Sequence, residues 1–557
     1  IDFKNKKIIG RMPMRGDPAQ YLSNNKKIAE KVLESQCRKV QKDPEAKEAI
    51  LKAFRKLTDN GYCLEFDNLT PEQKQMVESS EVQHWLPWRV VYKLSVSTPC
   101  RCVMDASTKT PLLEDGRGGH CLNNVVMKGV VNTLNLVNMI LRFVLAPTAF
   151  NADLKQFYNR ISLVEDQWSL QRILFKKDLD PEAETIQMII ISLIYGVRCV
   201  SAMSEQAVLD LAATVRNKNP RLADLLTHAR FCDDIGDSDK DLETVEMIKK
   251  EADQLFARAG LEVKGWTTSG FPPSPEVTHD GASVDIAGMS WFSEIDTLVV
   301  KVPPIHFGSK HRGKLRVGTE VFTGSMADLE KFIPEKLTRR QIISKYSAFF
   351  DPVGHFLPFS NVMKMGARKA TMETATWDSP VSAETRLLWV SNLWRMHNLQ
   401  GIHLRRAIIP EDAVNLELQI VAAADAAELK VAGVWGRFKR TNGQYSCQLL
   451  IGRSLLCKLE STVPKDELES LTICSNLLYI ARKALESWTH DYIMIGDSAI
   501  AICWVTSESK RMSIFHRNRV NQIKRHSDVD KILHIKSSHN PSDIGSRPSK
   551  VQDSDMG

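Results

Sequence analysis

Two acidic stretches decide the fold of this chain: AFNADLKQFYNRI at residues 149–161 and RFCDDI at residues 230–235. In the first, apolar residues typical of a strand lead to Asp153. In the second, Asp233 and Asp234 stand together between residues that favour a β-hairpin. Adjacent carboxylates in an apolar context repel each other, and a divalent cation is the usual compensation. Because hard oxygen ligands suit Mg²⁺, which also binds phosphate oxygens, these acids predict a metal site for phosphoryl transfer.

A second set of acids lies near the C-terminus. Asp425 ends the strand-like segment LELQIVAAAD, and Glu467 lies at the start of a helix with an apolar stripe. Asp497 follows the strand-like segment YIMIG, and Asp543 lies in SSHNPSDIGSRP. The element order around these acids, β-β-β-α-β-α, is typical of a small α/β domain. The pattern therefore predicts a second metal site on a separate domain.

Each acid has a plainer interpretation when it is taken alone. An Asp-Asp pair is more often part of a turn or a solvated loop, and a single acid at the end of a strand or helix is more often a cap. Within the predicted helix, Asp466 and Glu469 are close enough to compete for the role of Glu467. The surrounding sequence therefore has to decide between these interpretations.

Length and charge place broad limits on the protein. A chain of 557 residues with 43% apolar and 25% charged residues predicts two to four globular domains. The net charge of +7 allows a nucleic-acid partner, and residues 1–60 and 507–526 are both rich in Lys and Arg. The eleven cysteines lack zinc-site spacing, which predicts reduced thiols in an intracellular protein. No apolar run reaches the length of a membrane span, so no membrane partner is expected.

Several segments resemble the fingers and palm of reverse transcriptases from LTR retrotransposons and retroviruses, in the same order. They are WLPWRVVYK (85–93), RCVMDAS (101–107), CLNN (121–124), ADLKQFYNRI (152–161), YGVRCVSA (195–202) and FCDDI (231–235). Three more are similar to the palm end and thumb of the BEL/Pao group: GLEVKGWTTSG (260–270), IAGMSWFSEIDTL (286–298) and LTRRQIISKYSAFFDPVG (337–354). The chain departs from the family in two places: no proline follows Gly196, and Phe-Cys precedes the acid pair.

The resemblance implies roles for the first acidic set. Asp153 and Asp233 would bind metal, and Asp234 would be the less directly bound partner in the catalytic acid pair. Tyr158 would lie under the sugar of the incoming nucleotide and exclude a 2′-hydroxyl; a core aromatic is the alternative.

Other residues would contact the nucleotide or the primer. Arg101 would grip the triphosphate, because its guanidinium fork suits phosphate, and Lys93 is a weaker candidate for the same task. Tyr195 and Gly196 match the family's pair beside the nucleotide. Trp266 falls in the segment similar to the primer grip, although a single Trp is more often a core residue.

The C-terminal part resembles the ribonuclease H domain of the same retroelements, above all in DSAIAICW (497–504) and HNPSDIGSRP (539–548). This resemblance implies that Asp425, Glu467, Asp497 and Asp543 hold two Mg²⁺ ions, with Mn²⁺ as a possible substitute. Such nucleases cut the RNA strand of an RNA–DNA hybrid. His539 would aid product release or cap a loop.

The sequence therefore predicts a multidomain α/β (α+β) protein, a right-hand polymerase followed by an RNase H-like domain. The expected parts are an N-terminal helical extension or part of the fingers (1–80), fingers and palm (81–302), a thumb or connecting helical region (303–414) and the RNase H-like domain (415–557). The implied activities are primer extension on an RNA template and hydrolysis of the copied RNA. The rivals are a catalytically silent, nucleic-acid-binding descendant and a repair-type DNA-dependent polymerase.

The implied partners are an RNA template, a DNA or RNA primer, the RNA–DNA hybrid and deoxynucleoside triphosphates. Because the chain starts at Ile1 and not at Met, we expect that it was cut from a longer precursor or trimmed. The resemblance implies a precursor polyprotein whose protease and integrase lie outside this chain. A cytoplasmic location, in virus-like particles, and a possible homodimer complete the expectations.

Overall fold

The computed structural model describes residues 1–92, 100–130, 134–278, 280–308, 310–311, 314–315, 320–414, 417–507 and 512–550. Mixed α/β architecture runs through all of these parts, as the sequence predicts. Among the described residues, no helix is both long and apolar enough to cross a membrane.

The N-terminal part is a helical layer with short strands. Its elements are β1 (Ile8–Gly10), α1 (Pro18–Tyr21), α2 (Lys26–Val40), α3 (Pro44–Asp59), β2 (Cys63–Glu65), α4 (Pro71–Ser79), β3 (Trp88–Tyr92) and β4 (Cys100–Met104). Helix α3 starts where the Asp43 side chain accepts a hydrogen bond from the Ala46 N–H at 3.0 Å, with Pro44 in the first helical position. The helical spacing of apolar residues over 20–60 predicts helices, which α2 and α3 confirm, and the β-rich pattern of 82–107 agrees with the antiparallel pair β3 and β4 in its described part.

The central part is built around an antiparallel sheet in the order β11-β5-β10-β9. Its elements are α5 (Leu122–Val125), α6 (Leu134–Leu145), β5 (Thr148–Leu154), β6 (Ile161–Leu163), β7 (Arg172–Lys176), β8 (Thr185–Ile190), α7 (Val200–Val215), α8 (Pro220–His228), β9 (Arg230–Phe231), β10 (Asp234–Asp239), α9 (Leu242–Ala259) and β11 (Val263–Thr268). Helices α6 and α9 pack against this sheet, so β5 is buried over most of its length. The hairpin predicted around the acid pair is confirmed as β9 and β10.

A second antiparallel sheet and a group of helices follow. They comprise β12 (Val284–Ile286), β13 (Met289–Phe292), β14 (Thr297–Val300), β15 (Lys310–His311), β16 (Lys314–Leu315), α10 (Met326–Phe332), α11 (Arg339–Ala348), α12 (Leu357–Glu373), α13 (Ala383–Asn398) and β17 (His403–Arg405). The apolar residues of 283–302, with a turn at Glu294–Asp296, predict one strand pair, which is wrong by one strand because three strands form there. The extra reversal is made by Ala287 and Gly288, both with positive φ.

The C-terminal part has a five-stranded sheet in the order β20-β19-β18-β21-β22. Its elements are β18 (Leu418–Ala426), β19 (Leu429–Lys439), β20 (Tyr445–Leu456), α14 (Val463–Ala484), β21 (Thr489–Gly496), α15 (Ala499–Thr506), α16 (Ile514–His526), β22 (Ile532–His534) and α17 (Asp543–Ser546). Strands β18, β21 and β22 run parallel, whereas β19 and β20 are antiparallel to their neighbours. The predicted β-β-β-α-β-α order is confirmed; β22 was missed because it is only three residues long in a charged segment.

A buried arginine joins the second antiparallel sheet to the central part. Arg406 donates hydrogen bonds to the carbonyl oxygens of Phe143 at 2.7 Å, Ala146 at 2.9 Å and Pro147 at 2.7 Å. Its guanidinium also pairs with both carboxylate oxygens of Asp296, at 2.6 and 2.8 Å. Since Arg406 is only 1% exposed, loss of its side chain leaves these buried carbonyl groups without their donor.

We expect Arg406→Leu to destabilise the protein by about 3–5 kcal/mol, because it leaves Asp296 without its buried partner and three carbonyl groups without a donor. The measurement is the urea unfolding midpoint. The neighbouring variant Arg405→Leu is the control: its partner Glu411 is 3.4 Å away and 90% exposed, so its loss has little effect. Equal midpoints for the two variants would contradict this account of Arg406.

Candidate active sites

The first acidic site lies at one edge of the central sheet. Asp153 is near the end of β5, and Asp234, the first residue of β10, is its direct partner in the antiparallel register. Asp233 lies in the tight turn before β10, where Cys232 has a φ of 56°. The carbonyl oxygen of Asp233 accepts a hydrogen bond from the Leu154 N–H at 2.9 Å. The structure thus brings together the three acids that the sequence singled out.

The ionisation of Asp234 is disfavoured at this site. Burial raises the pKa of Asp234 to about 8, and repulsion by Asp233, Asp153 and Asp285 adds to this effect. Asp234 therefore holds a proton at neutral pH unless a positive charge arrives nearby. A divalent cation such as Mg²⁺ prefers hard oxygen ligands, and its charge would favour loss of the proton from Asp234. This group of carboxylates therefore fits such an ion.

These acids line a cleft of 1050 Å³. Its walls include residues that sequence reasoning missed: Lys56 and Asn60 at the end of α3, and Asp285, which forms an ion pair with Lys301. No local signal marks them, since only the tertiary fold brings α3 and β12 to the acids. The cleft has room for a ligand larger than a metal ion.

The predicted nucleotide contacts Tyr158 and Tyr195 lie together beside the acids. Their ring centroids are 5.0 Å apart, and the Tyr158 hydroxyl is 3.5 Å from the Ser201 hydroxyl. Burial raises the pKa of Tyr158 to about 12, so the phenol is neutral. Tyr195 lines the cleft, whereas the half-buried Tyr158 packs against Tyr195 and the core.

Gly196 sits at a close backbone approach. Its φ is 113°, and a Cβ at this position would lie 1.9 Å from the carbonyl oxygen of Met104. The Asn123 side chain donates a hydrogen bond to the Gly196 carbonyl at 3.0 Å. Only glycine fits, which explains the residue type in the Tyr-Gly pair.

The structure is less informative about the other predicted contacts. Trp266 lies in β11 opposite Ala152; its Nε1 donates to the Asp253 carboxylate at 2.9 Å, and its ring is 5.9 Å from that of Phe150. It therefore packs on the sheet next to the strand that carries Asp153. Arg101 pairs through its backbone with Val91. Lys93 lies outside the described residues.

The second acidic site lies at the edge of the C-terminal sheet. Parallel register places Ala424 of β18 beside Gly496 of β21. Asp425 and Asp497 follow these two residues and therefore lie next to each other at the same edge of the sheet. Glu467 reaches the same point from the first turns of α14. One carboxylate oxygen from each of the three acids lies within 4.8 Å of the other two.

Burial and repulsion also raise the proton affinity of this site. Asp425 is 1% exposed, and its Oδ2 has no hydrogen-bond partner among the described residues. Burial, followed by repulsion from Asp425 and Asp497, raises the pKa of Glu467 to about 8. Asn540 donates to the Asp497 carboxylate at 3.2 Å. A buried, unpartnered carboxylate oxygen among three acids fits a divalent cation.

Asp543 lies beside this group but is not one of its three members. It starts α17 and forms an ion pair with Arg547 one turn later. Asp543 nevertheless contributes to the raised pKa of Asp425, whose largest cause is burial. His539 is exposed in the loop before α17.

The structure also separates Glu467 from its two neighbours. Lys430 lies 2.6 Å from the Glu469 carboxylate and 3.5 Å from that of Asp466. Arg519 also pairs with Glu469. Asp466 and Glu469 therefore pair with basic side chains on another side of α14, whereas Glu467 faces the other acids.

One family model matches part of the C-terminal half of the chain. Residues 338–498 match the model described as a Pao retrotransposon-like RNaseH-like domain. This segment is similar to that family's domain. The resemblance to the BEL/Pao group drawn from the sequence is thereby confirmed. The matched segment contains Asp425, Glu467 and Asp497, and it begins at Thr338, well before the boundary predicted at residue 415. A search of curated proteins found no match.

Two solved structures are similar to the chain as a whole. The first, of "the foamy viral protease-reverse transcriptase dRH in complex with ds DNA", has a TM-score of 0.51 and 14% identity and covers 89% of this chain and 70% of that chain. The second, of the foamy viral protease-reverse transcriptase with an RNA/DNA hybrid, has a TM-score of 0.50 and 13% identity. It covers 91% of this chain, which spans 56% of that protein. These likenesses show the fold, which agrees with the predicted fold class.

The raised pKa of Glu467 gives a prediction about stability. Its ordinary value is 4.5 and its value in the fold is about 8, so the folded protein holds a proton that the unfolded chain releases between these pH values. Stability from this group therefore falls as pH rises through that window. In EDTA, we expect the Tm of Glu467→Gln to fall less than that of wild type between pH 5 and 8 and to exceed it at about pH 8.

Glu469→Gln is the matched control. Burial raises the pKa of Glu469, but hydrogen bonds from Lys430 and Arg519 outweigh burial and lower it overall. Its neutralisation removes these attractions and should lower the Tm at neutral pH. Parallel Tm curves for wild type and Glu467→Gln would contradict the crowding of the three acids.

Proposed function

We propose that this protein is an RNA-directed DNA polymerase that also hydrolyses the RNA strand of RNA–DNA hybrids, as part of the replication of a retrotransposon. The observation that carries the proposal is the presence of two separate acidic sites at sheet edges in one chain, one of them in a Pao-type RNase H-like domain. The fold likeness to foamy viral protease-reverse transcriptases supports the polymerase half.

In the polymerase site, Asp153 and Asp233 would hold Mg²⁺, with Asp234 as their partner in the acid pair; Mn²⁺ is a possible substitute. A bound divalent cation supplies charge that neutralises the triphosphate and favours ionisation of the primer 3′-hydroxyl. The protein's own contribution is rigid placement, since the β5–β10 register fixes Asp153 opposite Asp234. Tyr158 would lie under the incoming sugar, and Arg101 and Lys93 would bind the triphosphate.

The remaining polymerase contacts are assigned by position. Tyr195 and Gly196 would border the nucleotide, because Tyr195 lines the cleft beside Tyr158 and Gly196 lets the backbone approach Met104. Trp266, on the strand beside Asp153, would steady the primer strand.

In the nuclease site, Asp425, Glu467 and Asp497 would hold the metal, and Asp543 would complete the set from α17. The metal's chemistry is stabilisation of negative charge on the scissile phosphate and activation of water. Asp425 is the best-fixed ligand, since it is buried at the end of a central strand. Asn540 orients Asp497 from the opposite side.

The proposed setting follows from the proposed activities. The partners would be an RNA template, a DNA or RNA primer, deoxynucleoside triphosphates and the hybrid product. The chain would be released from a precursor that also contains protease and integrase, and it would act in cytoplasmic virus-like particles, with a homodimer as the proposed assembly. The proposed domains are the N-terminal helical extension or part of the fingers (1–80), the fingers and palm (81–302), the thumb or connecting region (303–414) and the RNase H-like domain (415–557).

The decisive test follows a labelled RNA template during primer extension with Mg²⁺. We expect wild type to extend the primer and degrade the RNA. Asp153→Asn should abolish extension while leaving cleavage of a preformed hybrid intact, and Asp497→Asn should do the reverse and leave the product trapped as hybrid. Each loss should be large, on the order of a hundredfold or more, because metal placement tolerates little error.

Matched variants check the assignments within each site. Asp233→Asn should behave like Asp153→Asn, and Glu467→Gln like Asp497→Asn, whereas Glu469→Gln should retain hybrid cleavage. The proposal fails for the polymerase if both Asn variants extend primers normally. It fails for the nuclease if none of the C-terminal changes slows cleavage.

A separate prediction concerns the choice of sugar. Tyr158→Val should admit ribonucleotides while deoxynucleotide use persists, because the proposed steric barrier to a 2′-hydroxyl is removed. The measurement is the ratio of kcat/KM for the two substrates, with Tyr62→Val, a half-buried tyrosine outside the acidic cleft, as control. An unchanged ratio would mean that Tyr158 is a packing residue only.

A further inference from the structure

Helix α12 lies before the boundary predicted for the RNase H-like domain, yet it packs on that domain. It contacts β20 and α17, the short helix that carries Asp543. At its start, Gly354 approaches Gly452 of β20 so closely that a Cβ on Gly354 would lie 2.2 Å from the Gly452 carbonyl oxygen. The family match beginning at residue 338 includes this helix. Helix α12 is thus joined to the nuclease fold.

Asn361 is the central contact of this junction. It is fully buried in α12 at 0% exposure. Its Nδ2 donates to the carbonyl oxygen of Gly545 in α17 at 2.8 Å, and its Oδ1 accepts a hydrogen bond from the Ser454 hydroxyl in β20. Lys364, one turn later, donates to the Ser454 carbonyl at 2.9 Å. One amide therefore links α17 to β20.

The need for this amide follows from the length of α17. The helix has four residues, so its last carbonyl groups lack partners within the helix. Gly545 is buried, and an unpaired carbonyl there would be costly. Asn361 supplies the donor from outside the predicted domain.

The position of α17 bears directly on the acids. Ser542, the residue before α17, donates from its hydroxyl to the Ala423 carbonyl at 3.0 Å, in the strand that carries Asp425. The Ser546 carbonyl accepts a hydrogen bond from the Glu428 N–H at 3.0 Å, just beyond β18. A shift of α17 would therefore move Asp543 and Ser546 relative to Asp425.

We propose that Asn361 is a positioning residue for the nuclease site, acting through α17 on Asp425 and Asp543. The inference rests on the proposed nuclease function. Outer partners that orient metal-binding groups typically change affinity or activity by about 10–100-fold when they are removed. Among the described residues, the hydrogen bonds of the Asn361 side chain go to Gly545 and Ser454 and not to the first acidic site, so primer extension should not depend on it.

The test compares Asn361→Leu with Asn392→Leu. Asn392, in α13, is equally buried, and its amide has no hydrogen-bond partner within the part of the chain that the structure describes. In Asn361→Leu we expect cleavage of a labelled RNA–DNA hybrid to slow by about tenfold or more, with a higher half-saturating Mg²⁺ concentration. Amide hydrogen exchange over residues 542–547 should quicken, while primer extension stays normal. Asn392→Leu should change none of these.

The outcomes separate this inference from the proposed function. Unchanged cleavage and exchange in Asn361→Leu would overturn the inference and leave the nuclease function standing. If wild type fails to cleave hybrid, the nuclease function fails, and the exchange of residues 542–547 still decides whether Asn361 holds α17. A parallel loss of Tm, extension and cleavage would assign Asn361 to general stability and overturn the inference. If Asn361→Leu does not fold, Ser454→Ala decides: a smaller loss of cleavage alone supports the inference, and no loss overturns it.

Discussion

Carboxylates that crowd together repel one another, and at two places this protein holds three of them at the edge of a sheet despite that repulsion. Burial first, and this repulsion second, raise the pKa values of Asp234 and Glu467. In both places, neighbouring strands provide the restraint: antiparallel β5 and β10 in one case, parallel β18 and β21 in the other. A strand ladder suits this task because its hydrogen bonds fix the register, so the acids at its edge have little freedom to move apart.

The packing around each edge serves the same constraint. Beneath the first site, the buried Arg142 pairs with Asp237 of β10 at 2.8 Å and with Asp224 at 2.7 Å, which fixes the far end of the strand that begins at Asp234. Arg221 pairs with Asp237 from another side at 2.9 Å. Beneath the second site, the apolar stripe of α14 covers the sheet and sets the direction in which Glu467 points. Charged networks at the first site and apolar packing at the second thus both help to fix the position of an acid.

The sequence predicted those features that depend on local pattern. Apolar runs ending in acids located β5, β18 and β21, and the helical stripe after Glu467 located α14. It left open which acid of α14 faces the site, because Asp466, Glu467 and Glu469 differ only in their angle around the helix. The angle decides the role of each acid only in the folded protein, where Lys430 and Arg519 from other elements bind Glu469. Lys56 and Asp285 were missed for the same reason, since their place in the cleft depends on contacts between distant segments.

The central sheet and the C-terminal sheet do not have separate interiors. Helix α6, which covers the first, packs against α14, which covers the second, and residues of both belong to one buried cluster. Arg142 of α6 also reaches the carbonyl oxygen of Ala484 at the end of α14, at 3.4 Å. If both sites work as proposed, this shared interior fixes the distance between them. A duplex lying across both sites would be cut at a constant number of base pairs behind the growing primer end, a spacing set by the shared interior rather than by the nucleotide sequence.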